Sequence, residues 1–274
     1  MTGRAIDHVV LKVANLDRAA ATYESLGFTL TPRARHEDRM GTSNRIAQFE
    51  EMNFIELLEV DRPEGLMAHD FSARPPVFSF GAHNRSATRD GASMLVFASE
   101  DARADNDAFA KAGLQTFAPF DFERKGRLPD GAEATLSFSL AFSRAPEAPE
   151  APIFVCQNRA PGLFWKVGYQ RHENGATGIR ALWLASAAPA READFYQRLF
   201  GGRTTEVEGG VDVSCGANQT LRIRTAEQVA VRDPGFDAAA FAGPRFVGVE
   251  IAGPTNGDVP SDAACGMFIS WVKR

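Results

Sequence analysis

A short run rich in β-branched and apolar residues, IDHVVLKV, is followed by an apolar stripe at helical spacing: Leu16, Ala19, Ala20, Tyr23 and Leu26. The first pattern predicts a strand. The second predicts an amphipathic helix that Asn15 caps and Gly27 ends. Extended patterns resume in FTLTPRAR, NRIAQFEEM and NFIELLEV, so this unit reads strand, helix, strand, strand, strand. The order then returns in SMLVFAS, a helix through DARADNDAFAKA to Gly113, and LQTFAPF. It returns again in IRALWLAS, a helix ending in FYQRLF and Gly201, and RTTEV. The glycines that end the three helices recur at near-equal intervals, the mark of an internal repeat. A fourth copy is degenerate: PRFVGVEIAG and GMFISWVKR are strand-like, but the link between them is rich in turn-forming Gly, Pro and Asp.

These patterns predict an α+β fold of repeated βαβββ modules that form curved mixed sheets, the last module degenerate. Residues 1–158 form one pair of modules, 159–177 a connector, and 178–274 a third module with a partial fourth. RAPEAPEAP, at 144–152, is expected as an exposed loop between two strands of the second module. Alternation in the first strand sets Val9, Leu11 and Val13 on a helix-packed face and Ile6, His8, Val10 and Lys12 on the other. Glu56 shares its face with Phe54 and Leu58. An ionised carboxylate in so apolar a run must reach water, a cation or a proton. If the strands share one curved sheet, His8 and Glu56 converge on its concave side, and both are suitable ligands for a divalent metal. Pairing of Glu56 with Arg45 or Lys12 is the simpler reading.

Composition narrows the partners. A net charge of -5 lacks the basic excess that nucleic acid attracts, and no apolar run is long enough to cross a bilayer. A small-molecule ligand in a cytoplasmic protein is the expectation, since the N-terminus has no secretory pattern. Cys156, Cys215 and Cys265 suit neither a disulfide framework nor a CxxC zinc site and read as buried thiols. The Asn84 and Asn218 sequons carry no weight without secretion. P-loop, dinucleotide GxGxxG, GxSxG and HExxH signatures are absent, which argues against nucleotide-dependent and serine-hydrolase chemistry.

The repeat, with His in IDHVVLKV and Glu in NFIELLEV, resembles the vicinal oxygen chelate superfamily, which includes glyoxalase I, extradiol dioxygenases and antibiotic-resistance proteins. IDHVVLKVANLDRAAATYESLGFTLTPRARH, GTSNR, CQNRAPGLFW and QRHENGATGI are similar to bacterial glyoxalase-like proteins. The resemblance covers nearly the whole chain and weakens after residue 200. It implies paired modules forming a cup, with a divalent metal held by His and Glu from the first and fourth strands of each module. Carried over, the ligands are His8 and Glu56. Met94 and Val155 or Cys156 fall where the second module's ligands belong, so half the usual set is missing. His172 is the candidate third ligand or acid/base; His36 and His83 are lesser candidates.

TPRARHEDRMGTSNR concentrates Arg33, Arg35, Arg39 and Arg45, residues suited to carboxylates or phosphates. His36, Thr42, Asn44 and Arg45 are expected to contact substrate, a small anion or oxygenated molecule, with local ion pairs to Glu37 and Asp38 as the alternative. FDFERKGRLPDG, with Arg124, Lys125 and Arg127, reads as a hairpin turned by Pro129, Asp130 and Gly131. Phe164 and Trp165 either wall the cavity or anchor the core.

Three functions remain open. The first is a metal-dependent isomerase, lyase or dioxygenase in which Glu56 and His172 act as acid and base. The second is metal-free binding or sequestration of a small molecule. In the third the later modules serve assembly, with a homodimer as the expected form.

Overall fold

The first strand, β1 (Ile6–Lys12), enters α1 (Leu16–Ser25), where the Asn15 side chain accepts the Arg18 N–H at 2.9 Å. That bond satisfies one of the helix's free amide groups, as the sequence predicts. Leu16, Ala19, Ala20 and Tyr23 are buried, and Gly27 adopts a left-handed φ of 83° just past the helix end. β2 (Ala34–Arg35), β3 (Thr42–Gln48) and β4 (Phe54–Val60) complete the first repeat. β5 (Gly91–Ala98), α2 (Ala102–Lys111), β6 (Phe120–Arg127), β7 (Glu133–Ser143) and β8 (Ile153–Asn158) form the second. The computed structural model describes residues 3–65, 89–127, 133–216, 218–254 and 257–274. His83, the Asn84 sequon and the turn expected at Pro129, Asp130 and Gly131 lie outside them.

These strands join in one sheet of order β2-β3-β4-β1-β5-β8-β7-β6. β1 and β5 meet antiparallel at its centre, while β1 with β4 and β5 with β8 are parallel. Read outward from the central seam, the two halves have the same order, which is the predicted pairing of modules. The extended patterns around residues 28–35 and 114–120 overreach: only Ala34–Arg35 and the residues from Phe120 onward are strand.

After α3 (Pro161–Phe164) the third repeat supplies β9 (Gly178–Ala185), α4 (Pro189–Phe200), β10 (Thr204–Val207), β11 (Gly210–Cys215) and β12 (Gln219–Arg224). α5 (Ala226–Arg232), which the sequence pattern did not lead us to expect, follows with Thr225 as its cap. β13 (Arg245–Ala252) and β14 (Phe268–Val272) are what remains of the fourth repeat. The second sheet runs β10-β11-β12-β9-β13-β14. Its last two strands are parallel, like β5 and β8, and the described part of the link between them holds a 3-10 turn at Ser261–Ala263.

One apolar core joins the helix-side faces of both sheets, uniting Val9, Leu57 and Tyr23 with Leu182, Tyr196 and Ile251. A separate cluster, including Val10, Ile46, Phe54, Met94, Phe138 and Phe154, lines the opposite face of the first sheet. Ile6 departs from the predicted alternation. The β1/β5 register shifts between Ile6 and His8, and Ile6 turns into the helix-side core. The 144–152 segment does connect β7 to β8, but Ala145, Ala148 and Ala151 are buried, so it is anchored rather than free. Cys156 and Cys215 are buried as expected, whereas Cys265 is only partly so.

Candidate active site

Strand alternation turns His8 and Val10 of β1, Thr42, Asn44 and Ile46 of β3, and Phe54, Glu56 and Leu58 of β4 to the same side, where they line a cavity of about 110 Å³. Val10 and Ile46 are the strand partners of Glu56, which places the carboxylate between apolar neighbours. Phe122, Phe138, Phe142, Phe154 and Phe164 supply the facing wall. Glu56 is only 7% exposed, so its charge must be met by protein groups or a ligand. Asn44 Nδ2 donates to Glu56 Oε1 at 2.6 Å. His8 Nε2 lies 3.7 Å from Oε2, and His36 Nε2 lies 3.7 Å from Oε1.

Both imidazoles are held from behind. His8 Nδ1 is 2.5 Å from Asp7 Oδ1, and its ring stacks on Phe54 with centroids 4.1 Å apart. His36 Nδ1 bonds Thr42 Oγ1 at 2.7 Å, and its Nε2 sits 3.3 Å from Asn44 Nδ2. Burial pulls the His36 pKa down to about 4; Arg124 and Arg62 push the same way and Glu56 opposes them. His36 is therefore neutral at pH 7.

His8, His36, Thr42, Asn44 and Glu56 come together as the sequence reading placed them. Arg45 does not. It lies on the other face of β3, donating from Nε to Thr31 O at 2.9 Å and from the guanidinium to Glu24 at 2.7 Å. Lys12 turns toward Asp90 rather than Glu56. Arg33 pairs with Glu59 and Asp61, and Arg35 with Asp38, so these loop arginines form local ion pairs.

His172 lies on the helix side of the sheet, against Phe28 and Phe49, where it is no ligand for the cup. Its Nδ1 accepts the Thr29 N–H at 2.9 Å and its Nε2 donates to Gln48 O at 2.7 Å, leaving neither nitrogen for a metal or a proton transfer. Trp165 packs edge-on against Phe54 and Phe164 behind the cavity wall, while Phe164 itself reaches the cavity.

The resemblance implies a divalent metal in this cup. The first module offers His8 Nε2 and Glu56, but the His36 Nε2 already faces the Asn44 amide. From the second module Met94, Phe154 and Cys156 face the cavity, while Val155 belongs to the opposite core. Burial pushes the Cys156 thiol well above its usual range. Among the described residues no three His, Cys, Asp or Glu side chains form a metal-holding group. An open metal site needs three protein donors, so the described residues do not make a complete one.

A residue read earlier only as part of a hairpin lines the cavity instead. Arg124 of β6 projects inward, its guanidinium carbon 5.9 Å from the Phe138 ring centre and 6.0 Å from that of Phe164. Burial lowers its pKa from the usual arginine value, with the Glu56 charge opposing. Inward Phe120, Phe122 and Arg124 alternate with outward Asp121, Glu123 and Lys125, a signal present in FDFERK.

Comparison with known proteins agrees with this architecture. A hypothetical protein from Staphylococcus aureus superposes with a TM-score of 0.76 at 14% identity, covering 98% of this chain and 99% of that one. A triple mutant of 4-hydroxymandelate synthase from Streptomyces coelicolor gives 0.50 at 16% identity, over 91% of this chain and 71% of the other. A Mn(II)-bound glyoxalase from Novosphingobium aromaticivorans gives 0.50 at 12% identity, over 93% and 67%. At these identities the likeness concerns the fold. No curated protein matches the chain. The family model described as a glyoxalase-like domain matches residues 6–200, most of the chain, and the protein therefore belongs to that family of the vicinal oxygen chelate superfamily.

Proposed function

We propose that the cup binds a small, largely apolar molecule with an oxygenated head group and that Glu56 moves a proton on it. The carrying observation is the Glu56 carboxylate, buried at the cavity wall, steered by one Asn44 hydrogen bond and left with Oε2 facing His8 at 3.7 Å. A general base needs that combination of fixed direction and an accessible oxygen. The His8 ring, oriented by Asp7 and Phe54, is placed to exchange a proton with the same carboxylate. The reaction class this supports is isomerisation or elimination beside a carbonyl or carboxylate. A metal-dependent lyase or dioxygenase would require a donor beyond His8 and Glu56.

The test is solvent deuterium exchange, followed by proton NMR, on a panel of small oxo and hydroxy acids. Exchange in the native protein and its loss in Glu56→Gln support the proposal. Saturable binding with no exchange or turnover would replace it with the sequestering function. Elemental analysis after incubation with Mn²⁺ or Zn²⁺ tests the metal separately, with less than one retained ion per chain expected.

A further inference from the structure

Arg124 and Glu56 act on each other electrostatically across the cup but form no ion pair. Among the described residues the Arg124 guanidinium has aromatic neighbours and no hydrogen-bond acceptor. Other arginines of the fold are matched: Arg33, Arg45, Arg62, Arg222 and Arg224 each donate to a carboxylate. A guanidinium carries five N–H donors in a rigid fork, and those of the partly exposed Arg124 are spent on no protein acceptor among the described residues. The gap between Arg124 and Glu56 is the cavity itself.

We infer that Arg124 is the anion anchor of the cup, so that the ligand is a monocarboxylate with an aryl or alkyl body. Its carboxylate takes the fork of Arg124 in paired hydrogen bonds, and its body lies against Phe122, Phe138, Phe154 and Phe164. A single negative charge is specified by the local balance. Among the described residues that line the cavity Arg124 is the one lysine or arginine, and Glu56 lines the same space, so a phosphate dianion would meet repulsion that one arginine does not offset. The carboxylate end on Arg124 directs the adjoining carbon toward Glu56. This inference rests on the cup being the binding site, but it does not require Glu56 to act as a base.

The experiment compares acids with their uncharged amides. Binding of phenylacetate and phenylacetamide is measured by calorimetry, and thermal shifts are recorded for straight-chain carboxylates from acetate to octanoate. The native protein is expected to favour the acid over the amide by about tenfold or more, the worth of one charge-assisted hydrogen bond. Arg124→Met should erase that preference by weakening acid binding more than amide binding, and Arg124→Lys should keep part of it. A folded Arg124→Met protein with its acid preference intact, equal acid and amide affinities in the native protein, or a panel of carboxylates that stabilises nothing would each overturn the inference. If Arg124→Met does not fold, the Lys variant and the native acid-to-amide ratio decide. Glu56→Gln separates the two proposals: acid binding that persists without deuterium exchange confirms the anchor and the base together. Acid binding in a native protein that never exchanges deuterium retains the anchor and removes the base.

Discussion

The two sheets of this protein treat the same problem in opposite ways. Each carries a buried glutamate on its non-core face, Glu56 at 7% exposure and Glu250 at 6%. In the second sheet, Glu250 accepts from Arg222 at 2.6 and 3.0 Å and from Trp183 Nε1 at 2.8 Å, and Asp212 gathers Arg222 and Arg224 beside it. Trp183 and Phe268 fill the rest, with ring centres 5.5 Å apart. Gly248 is required there, because a Cβ would stand 2.2 Å from the Phe268 ring. In the first sheet the acid and the arginine are held apart with space between them. Equal burial therefore says nothing about function. Completion of the hydrogen bonds separates a structural carboxylate from one kept for a ligand.

The largest effect expected is on turnover. Glu56→Gln should lower deuterium exchange by about a thousandfold, within the range for loss of a general base, and Glu250→Gln should leave it within about twofold. Comparable losses in both variants would break the contrast. Stability should respond in the reverse order. Glu250→Gln leaves Arg222 without its main partner and should cost about 2 kcal/mol, discounted from the full buried-pair value because Arg222 is partly exposed. Glu56→Gln should cost less in the same urea titration.

Acid should sharpen the picture further. The unfolded chain protonates His36 near pH 6.5, whereas the folded protein refuses that proton until about pH 4. Stability from this group is thus complete above pH 6.5 and falls as pH drops toward 4, by a few kcal/mol in total. Arg124 and Arg62 oppose the charged ring while Glu56 and Asp61 favour it. His36→Gln should flatten that part of the stability curve in urea titrations across pH. The smallest effect belongs to Arg45→Ala. Its partner Glu24 is well exposed, so a loss under about 1 kcal/mol and unchanged ligand binding are expected, read from a melting curve and calorimetry.

Much of this was legible because strands have a strict period. His8, Glu56 and their shared face follow from alternation in IDHVVLKV and NFIELLEV. The same rule puts Thr42, Asn44 and Ile46 together and excludes Arg45, which was grouped with them by proximity along the chain. It also finds Arg124, whose inward charge in FDFERK has the signature that drew attention to Glu56. His172 was beyond such reasoning. It follows α3 in a connecting segment without periodicity, and only tertiary packing against Phe28 and Phe49 decides which side of the sheet it joins.

Gln219 shows how far the cup depends on its closed counterpart. Its side chain accepts the Ile6 N–H at 2.7 Å and donates to the carbonyls of Ile6 and Ile179, stitching the opening strands of both halves together two residues before His8. The family match likewise runs past β8 through β9 and α4. A chain cut after residue 158 would leave Tyr23, Val9 and Leu57 without their partners across the shared core. The cup is therefore not portable: grafting it into another protein means carrying along the second sheet that completes its core.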